Sequence, residues 1–147
     1  MSALVDAWQA ALAAEHRAYF GYGLLGPHLP ANHQPLAHTD QTAHQTLRDA
    51  TSAAIAAAGL APVEPAADYP LGAVTNGSDA ITLAAGLEDS CATAWRYLYA
   101  RAATTSGARA PRLRPSAQRA LTASAVRAAL WRRMLDPATA TEPFPGI

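Results

Sequence analysis

The chain has 147 residues, half of them apolar but only 7% aromatic, and its formal net charge is zero. One cysteine, Cys91, excludes an intramolecular disulfide framework, and no run of about 18 apolar residues is available to span a bilayer. An alanine-rich, aromatic-poor sequence of this length suits one domain (residues 1–147) of closely packed helices, because alanine is the best helix former and a poor strand former.

The first predicted helix runs from about Ala3 to Gly26. Val5, Trp8, Leu12, Glu15, Tyr19 and Tyr22 alternate between spacings of three and four, which is the seam of a bundle helix. Gly26-Pro27 stops it. A loop, "GPHLPANHQP", leads into a second helix from about Leu36 to Ala58, ended by Gly59, with Ala37, Asp40, His44, Leu47 and Thr51 along its seam. The third helix begins after "TNGSD", where Ser78 or Asp79 is the expected N-cap. Its seam is Ile81, Ala84, Glu88, Cys91, Trp95, Leu98 and Ala102, and Ser106-Gly107 ends it. Pro115-Ser116 opens a fourth helix to about Leu135, with Leu121, Ser124, Ala128 and Trp131 inward. Asp136-Pro137 terminates that helix, and residues 136–147 form an extended, Pro-rich tail that Phe144 is expected to pin to the bundle.

Between the second and third helices lie about nineteen residues, "GLAPVEPAADYPLGAVTNG". A loop this long in a compact domain needs a task. Extended chain covers about 3.3 Å per residue, enough to run the length of a neighbouring helix at about 1.5 Å per residue. Short, long and short connections therefore predict an all-α, ferritin-like four-helix bundle with one long crossover between helices 2 and 3.

Polar groups interrupt the seams. Glu15 lies on the first, His44 on the second and Glu88 on the third. Buried carboxylates need a partner, since desolvation costs several kcal/mol. Ferritin-like di-iron proteins supply metal, using a Glu from each of two helices and a Glu-x-x-His from each of the other two. Here "QTAH" places Gln41, a neutral amide, three residues before His44, and the fourth helix carries no Glu, Asp or His. Glu15, His44 and Glu88 remain as candidate ligands for one iron or manganese, with Asp40 as a fourth and His16, Tyr19 and Gln41 around them. Alternatively an arginine of helix four, Arg127 or Arg119, pairs with a glutamate and replaces the metal's charge. His28, His33 and His38 read as solvated loop histidines, and Cys91 as a small buried hydrophobe.

Four stretches, "AEHRAYFGYG", "AHQTLRDA", "LEDSCATAW" and the terminal "FPG", resemble a bacterial ferritin-like domain family of unknown function. The resemblance covers essentially the whole chain and implies the four-helix fold. It implies no activity. Carried over residue by residue, the wider ferritin-like pattern meets Glu15, His44 and Glu88 and fails at Gln41 and along helix four.

Charge is segregated along the chain. Residues 1–95 carry nine acids against two arginines, and residues 96–147 carry nine arginines against two acids, with no lysine anywhere. This pattern fits an acidic half packed on a basic one and favours association into a homo-oligomer, most simply a dimer. The arginine-rich "SGARAPRLRP" lacks stacking aromatics, which argues against nucleic acid. The expectation is a non-enzymatic binding or self-associating cytoplasmic protein with a degenerate metal centre, no cofactor, and room for a small ligand in its polar core. The alternative is a single-metal oxidoreductase.

Overall fold

Apolar periodicity and stop signals produce the expected helices in the computed structural model, which describes residues 2–147. They are α1 (Ala3–Leu25), α2 (Gln34–Ala57), α3 (Gly77–Thr104) and α4 (Arg109–Leu135), with short 3-10 turns at Gly26–His28 and Pro137–Thr139. No strand occurs among the described residues, and none of their helices is long and apolar enough to cross a membrane.

Caps explain the starts. Ser2 Oγ accepts from the Val5 N–H at 3.3 Å. The N-cap of α3 is Asn76, not Ser78 or Asp79. Asn76 Oδ1 accepts from the Asp79 N–H at 2.8 Å, and Asp79 Oδ2 accepts from the Thr75 N–H and hydroxyl at 3.0 and 2.7 Å. The two side chains thus satisfy backbone donors reciprocally, and the cap lies two residues before Ser78 and three before Asp79.

α4 departs most from expectation. It begins at Arg109 and runs through Pro115, which was expected to open it. A proline inside a helix removes one hydrogen bond and crowds the carbonyl four residues back. Pro115 faces solvent, however, while Ala110, Leu113 and Ala117 on the opposite face are buried. Burial of that extra turn and a half outweighs the local defect.

Contacts fix the topology. Tyr22 meets Asp40 and Glu15 meets His44, so α1 and α2 are antiparallel. Tyr22 meets Glu88 and Glu15 meets Trp95, so α1 and α3 are antiparallel as well. Arg127 meets Glu88 and Arg114 lies over Tyr99, which makes α3 and α4 antiparallel. α2 and α3 are therefore parallel, and residues 58–76 must travel the length of the bundle to join them. They do so along α1. Gln9 bonds Ala61 and Val63, His16 bonds Val63, Phe20 packs on Tyr69, and Leu71 reaches Gly21. This is the single crossover of a ferritin-like bundle.

The core is built mainly of small residues, with Trp95 and Trp131 as its largest fully buried members. Gly21 belongs to the close packing of α1 on α3. A Cβ there would run into Leu87 Cδ1.

The tail is held differently from expectation. Phe144 is 73% exposed and pins nothing. Gly146 does the docking instead. Its φ is +83°, a Cβ on it would stand 2.8 Å from the Ala92 carbonyl oxygen, and its own carbonyl accepts from Arg96 Nη1 at 3.4 Å. Only glycine combines that conformation with that approach.

Candidate functional site

All four helices send polar side chains to one buried centre. α1 contributes Glu15 and Tyr22, α2 Asp40 and His44, α3 Glu88, Cys91 and Trp95, and α4 Ser124, Arg127 and Trp131. Glu15, His44 and Glu88 are wholly inaccessible to solvent. The heptad-like spacing that makes each seam apolar also aims these groups inward at one level.

His44 lies between the two glutamates. Its Nδ1 is 2.6 Å from Glu15 Oε2, and its Nε2 is 2.9 Å from Glu88 Oε1. Two carboxylate acceptors flanking one ring call for two N–H donors, which only the imidazolium has. Burial opposes that charge, but the hydrogen bonds and charges of Glu15 and Glu88 override it and lift His44 to about 9. The remaining Glu15 oxygen, Oε1, accepts from the Trp95 indole N–H at 2.6 Å.

Glu88 is the hub. Besides His44, its Oε1 accepts from the Tyr22 hydroxyl at 2.7 Å and from Arg127 Nε at 2.9 Å. Burial alone would raise the Glu88 carboxyl, yet His44, Arg127 and Tyr22 together hold it below its ordinary value. Its Oε2 is buried and has no hydrogen-bond partner among the described residues. On the far side, the Trp131 indole N–H is shared between the Tyr22 hydroxyl and Asp40 Oδ2, both at 2.9 Å. Burial and the neighbouring Glu88 charge raise the Asp40 carboxyl. Burial likewise drives the Tyr22 hydroxyl and the Cys91 thiol far up, so both stay neutral.

The centre therefore brings Glu15, His44 and Glu88 together and adds Asp40. It does not gather the three residues expected around them. His16 turns to the crossover, where its Nε2 bonds the Val63 carbonyl at 3.0 Å. Tyr19 lies at the rim beneath the Arg48 guanidinium, 4.5 Å from ring centroid to Cζ. Gln41 donates to the Tyr19 carbonyl at 3.3 Å. Tyr22, one turn further along α1, takes the inner position. Of the two arginines expected to compete for it, Arg127 enters the centre and Arg119 faces solvent. The seam pattern marks the indole donors Trp95 and Trp131 only as core. Their signal was present, because a buried Trp on a seam that also carries a carboxylate has an N–H to place.

The donor set does not fit the di-metal pattern of ferritin-like proteins. α4 offers a hydroxyl, a guanidinium and an indole where that pattern needs a carboxylate and an imidazole, and Gln41 points away. A smaller group exists. Ligand atoms of Glu15, His44 and Cys91 all lie within 4.8 Å of one another.

Comparison with known proteins agrees with the bundle. The model of the family described as a domain of unknown function, DUF4439, matches residues 7–147. This chain belongs to that family. It is similar to the crystal structure of a conserved hypothetical protein from Mycobacterium tuberculosis, at 34% identity and a TM-score of 0.82, covering 90% of this chain and 97% of that one. It also resembles ferritin-like, diiron-carboxylate proteins from Bacillus anthracis, at 14% identity and a TM-score of 0.79, covering 92% of this chain and 100% of that one. The second likeness is one of fold alone. Curated proteins gave no match. For this DUF4439 chain the ferritin-like architecture is thus plain.

Proposed function

We propose that this ferritin-like bundle neutralises its buried carboxylates with its own cations and works as a non-enzymatic binding and self-associating protein. The observation that carries the reading is the pairing of Glu88 with both His44 and Arg127, at 2.9 Å each. Two glutamates face two internal cations, so the charge a metal would compensate is already compensated. No cofactor is called for.

A second reading rests on two observations, the unpartnered Glu88 Oε2 and the close Glu15, His44 and Cys91 donors. On it, one iron or manganese ion is held by Glu15, His44 and Glu88, and supplies redox chemistry when bound. The protein's part is to release the His44 proton and free one ring nitrogen as a ligand. Elemental mass spectrometry separates the two. Protein purified without chelator or affinity tag is incubated with Fe(II), Mn(II) or Zn(II) and desalted. The expected result is no stoichiometric metal. One metal per chain, lost in Glu15→Ala, would establish the second reading in place of the first.

Self-association is supported by the outward face of α4. Val126 and Leu130 are 54% and 44% exposed there, and α4 carries no acidic residue. Size-exclusion chromatography is expected to show a homodimer at low salt that shifts toward monomer at high salt. A monomer at both ionic strengths would sink this part of the proposal.

A further inference from the structure

α1 packs on α2 and α3, and α3 on α4, whereas α2 and α4 pack less closely and meet at the centre through Trp131 and Asp40. Where α2 finishes and α4 begins, the gap forms a cavity of about 700 Å³, inside the range of about 300–1,000 Å³ typical of small-molecule sites. None of Glu15, His44, Glu88 or Arg127 lines it.

Its walls are apolar. The exposed Ala54 and Ala57 of α2 form one side, and Trp8 of α1 and Leu113 of α4, both largely buried, form the floor. Its charged members are Arg109 and Arg112, and no acidic residue borders it. Arg109 spans the cleft, its Nη2 3.5 Å from the Ala58 carbonyl oxygen. Arg112 is exposed and has no ion-pair partner among the described residues. Two guanidinium groups beside one apolar hollow repel each other until an anion joins them, and the planar guanidinium matches an oxyanion in a bidentate fork. The first turn of α4 also borders the cavity. Its N-cap, Ala108, provides no side-chain acceptor, so the positive end of that helix adds to the same field.

We propose that this cleft binds an amphipathic organic oxyanion, with its carboxylate or phosphate head on Arg109 and Arg112 and its hydrocarbon body against Trp8, Ala54, Ala57 and Leu113. The small side chains of α2 leave the volume that the hydrocarbon fills, and the arginines reject an uncharged head. This inference takes up the binding role proposed above and gives it a ligand class.

Isothermal titration calorimetry on the whole chain tests it, using decanoate, decyl phosphate and decanol, each below its aggregation concentration. Saturable binding near one per chain is expected for at least one of the two anions, at least tenfold tighter than for decanol. The tighter anion identifies the head group. Arg109→Gln combined with Arg112→Gln is expected to weaken anion binding at least tenfold. Ala54→Leu, a change at an exposed position that fills the hollow, is expected to abolish it. A saturable change in tryptophan emission, lost in Trp8→Phe, would place the body in the cleft, since Trp8 borders it and Trp95 and Trp131 do not. Absence of saturable binding by both anions, or binding indifferent to the arginine and Ala54 changes, would overturn the cleft. Those results leave the charge-compensated centre standing. Metal found at the centre would overturn that reading and leave the cleft intact, so the two failures are distinguishable.

Discussion

Replacing Arg127 by methionine is expected to cost about 3–5 kcal/mol of folding stability, the usual penalty for stranding a buried charge. Methionine keeps much of the side chain's apolar length, so little of the loss comes from packing. What is lost is the guanidinium that donates to Glu88 Oε1 at 2.9 Å. Glu88 has no access to water, and its other oxygen has no partner to take up the charge. For a domain of this size the melting temperature should fall by roughly 10 °C or more. Urea denaturation measures the free energy directly. A thermodynamic cycle separates charge from shape. In a Glu88→Gln background, which keeps the side-chain form and removes the charge, Arg127→Met should cost about 2 kcal/mol less than in the native chain. Equal costs in the two backgrounds would show that Arg127 acts through packing, and the charge-compensation argument would fail.

His44 is expected to give the protein an alkaline limit. Its folded value of about 9 lies above the ordinary histidine value of about 6.5. A raised folded value means that the native state holds the proton more tightly than the unfolded chain. The associated stability is fully present below about pH 6.5 and disappears as pH rises through about 9. The gap corresponds to about 3 kcal/mol. Glu88 acts with the opposite sign. Its value is lowered in the fold, so its contribution is present at neutral pH and is lost as pH falls below the ordinary carboxylate range. Asp40 is raised, mainly by burial, and its contribution fades as its own proton leaves on the way up from acid. Folding free energy measured from pH 5 to pH 10 should therefore decline across the alkaline half. The difference between the native chain and His44→Gln isolates the histidine from both carboxyl groups. That difference should shrink by about 3 kcal/mol between pH 6.5 and pH 9.5. A pH-independent difference would mean that His44 is neutral between its carboxylates. A neutral imidazole has a lone pair free for metal, so the same experiment bears on the single-metal reading.

Much of this architecture was readable in the chain because helix periodicity, stops and connection lengths are local properties. Val5 through Tyr22, His44 and Glu88 could be placed on seams by spacing alone. The crossover followed from its length, since a short loop cannot join two parallel helices. Local signals failed where the tertiary environment competes with them. Pro115 reads as a helix start, yet the buried face formed by Ala110, Leu113 and Ala117 carries α4 past it. Phe144 reads as an anchor, yet the backbone of Gly146 fits against Ala92 and the ring stays in solvent.

Side chains counted along single elements specify the four helices, their order, the single crossover and the three polar residues of the centre. What those residues do is set by contacts between elements. An ideal helix drifts about 20° per heptad from a strict seam, so Tyr19 and Tyr22 look alike in the pattern while only Tyr22 points inward. Whether Arg127 or Arg119 reaches Glu88, whether His44 touches one carboxylate or two, and whether α2 closes on α4 depend on how helices distant in sequence are set against each other. Hydrogen bonds and ion pairs act over about 3 Å, and no spacing along a single chain fixes distances that fine between different helices.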